Sequence, residues 1–266
     1  MTSQQTPALP IPAGTGGTKS TRPQRTRTAA KGPTLRHERS FAALGHRVLA
    51  GCDEVGRGAL AGPVSVGLVA VQLESVRALK GVRDSKLLTP ADRQALVPKI
   101  KKWCPAWGVG HASAAEIDLL GLMGALRLAG TRAWTQVGET LIPDVVLLDG
   151  NHNWLSPELQ GSLFDEPDEV DDAACTAPVH TRIKADMTCL SVAAASVLAK
   201  VERDEMMVQY AAEHPAYGWE INKGYATEAH RAAIDTLGPS PLHRLSWRLG
   251  TARSPQDGPA AGPLGG

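Results

Sequence analysis

The sequence predicts an α/β domain built on a mixed sheet with helices packed against it. Three observations carry that prediction. Short apolar runs are bounded by glycine, proline or acidic residues, and two longer segments repeat their apolar residues at helical spacing. The order is several strands, then a helix, then strand and helix again, which suits a mixed sheet better than two separate layers. Residues 48–53 form an apolar run ending on Asp53-Glu54, and residues 65–71 form a second. The Gly/Pro-rich connection between them suits a hairpin. A third strand is predicted over 106–112. Residues 114–136 are rich in Ala and Leu at helical spacing, and Ser113 is placed to cap that helix. Residues 144–149 read as a buried strand that ends on a second carboxylate, Asp149. A further strand over 178–184 leads into a long helix over 186–214, where Leu190, Ala194, Val197 and Val201 recur at three- and four-residue steps.

A chain of 266 residues allows one large domain or two small ones, and 42% hydrophobic residues can fill a core. The net charge of +1 makes no whole-chain case for nucleic acid. Cys52, Cys104, Cys175 and Cys189 form no CxxC pair, which reads as reduced thiols in a cytoplasmic protein, not a zinc ribbon or a secreted disulfide framework. The longest weakly polar run, 189–199, is too short to span a bilayer, and the first thirty residues show no apolar stretch before a cleavage site. Membrane, secreted and fibrous classes are therefore not expected.

The average hides local asymmetry. Residues 1–47 carry eight bases against one acid, Glu38, for a net +7, and residues 155–178 carry seven acids and no base. We expect a disordered basic arm over 1–46, one domain over 47–250 with an acidic loop insertion at 155–178, and a flexible tail over 251–266. The arm suits a salt-dependent, sequence-independent tether to DNA. Deleting residues 1–40 should then weaken duplex binding, and equal affinity with and without the arm at low and moderate salt would exclude the tether.

Three elements end or begin on acids: Asp53-Glu54, Asp149 and Asp186. Carboxylates at the ends of adjacent central strands converge at one sheet edge. Two like charges 4 Å apart repel by about 4 kcal/mol at an effective dielectric near 20, so the cluster needs a positive partner. Mg²⁺ or Mn²⁺ suits an all-oxygen site better than zinc. Beside the first pair lies Gly51-Cys-Asp53-Glu54-Val-Gly56-Arg57-Gly58, a turn whose glycines allow close backbone approach and whose Arg57 adds a cation. The turn lacks the dinucleotide G-x-G-x-x-G spacing, and the chain has no Walker A lysine, HExxH or Gly-x-Ser-x-Gly elbow.

The sequence resembles the type 2 ribonuclease H family, ribonuclease HII, over about residues 49–247. The resemblance rests on seven segments in order: Asp53-Glu54-Val-Gly56-Arg57-Gly58, Asp84-Ser85-Lys86, Glu116-Ile117-Asp118, Leu148-Asp149-Gly150, the Ala193 to Asp204 run, Lys223-Gly224-Tyr225 and His243-Arg244-Leu-Ser246. It implies a ribonuclease H-like five-stranded mixed sheet flanked by helices, with a C-terminal helical extension. It implies an endonuclease that cuts the RNA strand of RNA–DNA hybrids, and single ribonucleotides embedded in duplex DNA, leaving 3′-hydroxyl and 5′-phosphate ends. By resemblance, Asp53, Glu54, Asp149 and Asp186 form a catalytic site for two Mg²⁺ or Mn²⁺ ions, while Gly56, Arg57, Gly58 and Tyr225 read the junction. Lys223 joins them as a candidate phosphate contact because it adjoins Tyr225. A single-chain enzyme with hybrid or ribonucleotide-containing duplex as its partner is expected.

Weaker candidates are Lys86, Lys184 and Lys200 as phosphate contacts, Arg203-Asp204 as an ion pair, and His243-Arg244 as a brace. Two positions depart from the family pattern. Ala185 stands where glycine commonly precedes the fourth acid, which would strain a positive φ there, and Gly121 stands where asparagine is frequent. The rivals are another ribonuclease H-like nuclease, such as a DNA junction resolvase, and a non-catalytic nucleic-acid-binding module.

Overall fold

The computed structural model describes residues 32–157 and 174–250. The seven acids of the expected insertion, the arm up to Lys31 and the tail from Thr251 lie outside the described residues. The sheet comprises β1 (Val48–Val55), β2 (Val64–Gln72), β3 (Ala106–Ala112), β4 (Val145–Asp149) and β5 (Val179–Arg182), in the order β3-β2-β1-β4-β5. The β1–β2 and β2–β3 pairs are antiparallel and the β1–β4 and β4–β5 pairs parallel, so the mixed five-stranded sheet is as expected. The helices are α1 (Arg36–Ala42), α2 (Pro90–Trp103), α3 (Ala114–Gly138), α4 (Ala185–Thr188), α5 (Leu190–Glu213), α6 (Trp219–Asn222) and α7 (Glu228–Leu237). Among the described residues, no helix is long and apolar enough to cross a membrane.

Strand alternation divides the core between two faces. Leu49, Val69, Val145 and Leu147 pack under Val192, Ala195 and Leu198 of α5. Ala50, Leu68, Val146 and Leu148 share the opposite core with Leu126, Ala129 and Trp134 of α3. Both helices sit almost on the strand backbone. A Cβ at Gly67 would lie 2.4 Å from the Ala195 carbonyl oxygen of α5, and one at Gly110 would lie 2.0 Å from the Ala129 carbonyl oxygen of α3. The alanine run of α5 serves this close approach.

The structure corrects several expectations. Disorder expected over 1–46 is not found in its described part, where residues 36–42 form α1. Glu38 is fully buried, and its Oε1 accepts from the Ser191 N–H (2.9 Å) and hydroxyl (3.0 Å), capping the start of α5. Thr34 bridges to Cys189, and Leu35 and Phe41 pack on the core. Charge composition dominated the sequence reading, whereas one buried acid and two apolar side chains dock the segment. A tether test must therefore stop at residue 31, since deletion to 40 removes this cap.

The helix expected over 186–214 is two helices. Lys184 turns the chain at φ 59°, and Cys189 is extended between α4 and α5. The positive φ thus falls on Lys184, and Ala185 opens α4 without the strain anticipated for it. The predicted 114–136 helix runs to Gly138 with Ser113 as its N-cap, as expected, and Glu116 completes a capping box there; the helix kinks at Gly121 (φ 68°, ψ 169°). Asparagine there would be strained, so glycine follows from the kink. Both flanks of the acidic segment belong to the core, through Trp154 and Leu155 on one side and Cys175 on the other. Helix α2 was not anticipated, because Pro98 lies inside it; Thr89 caps it and Pro90 opens it.

Candidate active site

Parallel pairing brings the acids together. Strands β1 and β4 run in the same direction with Cys52 opposite Leu148, so Asp53 and Asp149 emerge side by side at their C-terminal ends. Both alternate onto the α5 face. Strand β5 ends level with Asp149, at Arg182, and the left-handed turn at Lys184 returns the chain so that Asp186 falls in the first turn of α4 at the same edge. The Ala185 N–H donates to Asp149 Oδ1 (2.6 Å), which ties the second strand-end acid to the turn carrying the fourth.

The electrostatics register this convergence. Burial pushes the Asp53 carboxyl well above the usual range, a Ser196 hydrogen bond opposes it, and Glu54, Asp149 and Asp186 raise it further. Burial also raises Glu54, with Arg57 opposing and Asp149 adding to the rise. Burial raises Asp186, with Asp149 and Asp84 adding. Each of these three acids resists ionisation where it stands.

Sequence reasoning gave no individual role to Ser196 or Asp84 and a different one to Lys86. Ser196 is a buried serine within an alanine run; its hydroxyl lies 2.9 Å from that of Ser85, and it hydrogen-bonds Asp53. A serine on an otherwise apolar buried helix face was the available signal. Asp84 caps the following turn, its Oδ1 accepting from Lys86 N–H (2.9 Å). Lys86, weighed as a phosphate contact, faces the acids instead. Burial alone would pull its ammonium down, but Asp84, Asp186, Asp53 and Asp149 together raise it.

A cleft of about 490 Å³ joins these groups, lined by Asp53, Glu54, Gly56, Arg57, Gly58, Ser85, Lys86, Ser196, Lys200 and Tyr225. The glycine turn therefore shares one depression with two of the acids and with Tyr225, which is 167 residues downstream of Gly58. Ala59 bridges to Tyr225, and Leu60 N–H donates to the Gly224 carbonyl (2.8 Å). Tyr225 is half-buried, with the Lys200 ammonium 5.5 Å and the Arg203 guanidinium 5.4 Å from its ring centre. Lys223 takes a left-handed conformation (φ 52°) that swings Tyr225 inward, while its own ammonium donates to the Glu220 carbonyl. It lines an adjoining cavity of about 630 Å³ instead, which shares Lys200 and Tyr225 with the cleft.

The donor set fits hard divalent cations. It is all carboxylate oxygen, and the buried Glu54 Oε2 has no hydrogen-bond partner. Its other oxygen is held by Arg57 (3.4 Å), as Asp149 Oδ1 is by Ala185, and among the described residues no three acidic, His or Cys side chains form a ready-made cage.

Other expectations resolve structurally. Asp204 pairs with Lys200 (2.6 Å) and Arg93 (3.7 Å), not with Arg203. Glu116 completes the capping box and pairs with Arg132 (2.7 Å), which holds its carboxyl down at about 2. Asp118 accepts from the N–H groups of Leu245 (2.8 Å) and Ser246 (3.0 Å), fastening the His243-to-Ser246 segment to α3.

Comparison with known proteins agrees with the resemblance. The family model described as Ribonuclease HII matches residues 50–249. A ribonuclease HII of Streptomyces avermitilis is 45% identical over 216 residues, covering 81% of this chain and 83% of the relative. One of Nitrosococcus oceani is 41% identical, covering 79% and 92%. Among solved structures, the ribonuclease H2 of Pyrococcus horikoshii superposes with a TM-score of 0.56 at 24% identity, covering 76% of this chain and 94% of that one. A Bst ribonuclease HIII in complex with Mn²⁺ superposes at 0.53 with 20% identity, covering 76% and 67%. A family match over nearly the whole described domain, on the expected sheet, means that this chain belongs to the ribonuclease HII family and is a ribonuclease H endonuclease.

Proposed function

We propose that this endonuclease is metal-dependent and cuts the RNA strand of RNA–DNA hybrids and single ribonucleotides embedded in duplex DNA, leaving 3′-hydroxyl and 5′-phosphate ends. The observation that carries this reading is the shared cleft, in which Asp53 and Glu54 lie beside the Gly56-Arg57-Gly58 turn and Tyr225. Asp53, Glu54, Asp149 and Asp186 would hold Mg²⁺ or Mn²⁺. Bound there, two such ions supply water activation and leaving-oxygen stabilisation for phosphodiester hydrolysis.

The chain's own groups set the rest. The Ser85–Ser196 hydroxyl pair orients Asp53, and the Ala185 N–H orients Asp149. Because burial and like charge raise Asp53, Glu54 and Asp186, protons compete with cations at these carboxylates, and cation binding weakens as pH falls. At the recognition side, a glycine turn admits the 2′-hydroxyl that distinguishes RNA from DNA, where larger residues would stand off. The Tyr225 ring offers a flat face to the neighbouring sugar and its hydroxyl a hydrogen bond.

The test is a duplex containing one ribonucleotide, incubated with Mg²⁺ or Mn²⁺ and with a chelator. Cleavage at the ribonucleotide only in the presence of the ion is expected. Cleavage that persists in chelator, or none at all with either ion, contradicts the reading, and cutting of an all-DNA junction would favour a resolvase. Arg57→Ala and Tyr225→Ala should lower the preference for the junction over a continuous hybrid more than they lower duplex affinity. An unchanged preference, measured as the ratio of kcat/KM on the two substrates, removes the recognition role.

A further inference from the structure

Two arginines under the glycine turn are used by nothing described so far. Arg203 on α5 and Arg244 in the C-terminal segment are both fully buried, and among the described residues neither makes an ion pair. Their donors go to backbone carbonyls. Arg244 donates to Gly56 O (2.7 Å), Arg57 O (3.0 Å) and Gly62 O (3.2 Å). Arg203 donates to Pro63 O (2.8 Å), Ala61 O (3.2 Å) and Lys223 O (3.0 Å). Five of the six acceptors lie within residues 56–63, and the sixth belongs to the segment that presents Tyr225.

Burying two guanidiniums without a carboxylate is an expensive way to fill space, since desolvation of each charge is offset only by carbonyl dipoles. An apolar side chain of similar volume would fill it more cheaply. What a guanidinium supplies and Leu or Met does not is a rigid planar fork that fixes several acceptors at once.

The consequence follows from peptide geometry. In a trans peptide the C=O of one residue and the N–H of the next point in opposite directions. Arg244 draws the Gly56 and Arg57 carbonyls inward, so the N–H groups of Arg57 and Gly58 face outward, and among the described residues no protein acceptor takes either. Those two residues line the cleft. A pair of free, outward N–H groups beside a cation is a concave donor site for an oxygen-rich ligand. Arg203 adds the second constraint. It ties the same turn to Lys223, lies 5.4 Å from the Tyr225 ring, and packs so closely under Gly56 that a Cβ there would be 2.1 Å from its Nε.

We infer that Arg244 and Arg203 are positioning residues for ribonucleotide selection. Arg244 aims the Arg57 and Gly58 N–H groups at the substrate, and Arg203 sets their spacing from Tyr225, though neither arginine touches nucleic acid. This rests on the recognition role proposed above for the turn.

The test compares kcat/KM for a single embedded ribonucleotide and for a continuous RNA–DNA hybrid, using wild type, Arg244→Lys and Arg203→Lys. Lysine keeps the charge but offers a point donor that cannot hold three carbonyls in a plane. The single-ribonucleotide preference should fall about tenfold or more in each variant, since misplacement by about 1 Å can lose 10²-fold. Equal losses on both substrates, tracking the thermal midpoint, would mean a purely structural role and overturn the inference, as would an unchanged ratio. If a variant fails to fold, amide hydrogen exchange in the wild-type protein decides. The Arg57 and Gly58 amides should exchange rapidly in the free enzyme and become protected by a ribonucleotide-containing duplex in chelator. Protection already present in the free enzyme, or none with the duplex, overturns it. Failure of wild type to cut the embedded ribonucleotide would instead refute the proposed function itself.

Discussion

Replacing Asp53 with Asn should abolish cleavage, by roughly 10³-fold or more, while leaving the fold intact or slightly more stable at neutral pH without divalent ions. The sign follows from the carboxyl's environment. Its folded-state pKa is raised above the ordinary 3.8, so the folded protein holds the proton more tightly than the unfolded chain does. Stability is then lost as pH rises above the unfolded pKa, because ionising Asp53 beside Glu54, Asp149 and Asp186 opposes folding. Asn removes that opposition and can still accept from Ser196. The same substitution should abolish the rise in thermal midpoint that Mg²⁺ or Mn²⁺ gives the wild type by binding the folded state. Asp149→Asn should match it in activity, since an amide oxygen can keep the Ala185 N–H. Cleavage at wild-type rates in either variant, or loss of activity together with loss of the folded circular dichroism spectrum, would contradict the assignment.

A large loss of stability is expected on substitution of Gly67, the cross-strand partner of Asp53 on β2. A Cβ there meets the Ala195 carbonyl oxygen at 2.4 Å and the Ala199 Cβ at 3.2 Å, so strand and helix backbones must separate. Gly67→Ala should lose about 3 kcal/mol, the upper part of the range for overpacking a core. For a domain of this size that lowers the thermal midpoint by roughly 6–12 °C. Activity should fall with it, because Ser196, next to Ala195, would be drawn from Asp53. Gly138→Ala, whose added Cβ meets nothing within 4 Å, is the control and should leave the midpoint unchanged or raised. A Gly67→Ala midpoint within 2 °C of wild type would show that α5 does not rest on the strand backbone.

Much of the architecture was legible because the determinants are local. Apolar runs placed all five strands within a few residues, and Ser113 marked the start of α3. The strand-end acids were visible too, and parallel pairing of β1 with β4 needed only a crossover between them. Local patterns misled where a single distant contact decided the outcome. Glu38 looked like a stray acid in a basic arm until Ser191, 153 residues away, gave it a partner. The break at Cys189 was invisible because helical periodicity continues through it.

Sequence alone thus determined the strands, the main helices and which carboxylates stand at strand ends, since apolar period and chain order are properties of neighbouring residues. Tertiary structure decided what surrounds those carboxylates and what shapes the turn beside them. Ser85 and Ser196 meet across 111 positions, and Arg244 reaches Gly56 across 188. A buried guanidinium holding main-chain carbonyls leaves no pattern in the residues it holds, because every residue has a carbonyl. Only the folded backbone specifies which ones converge.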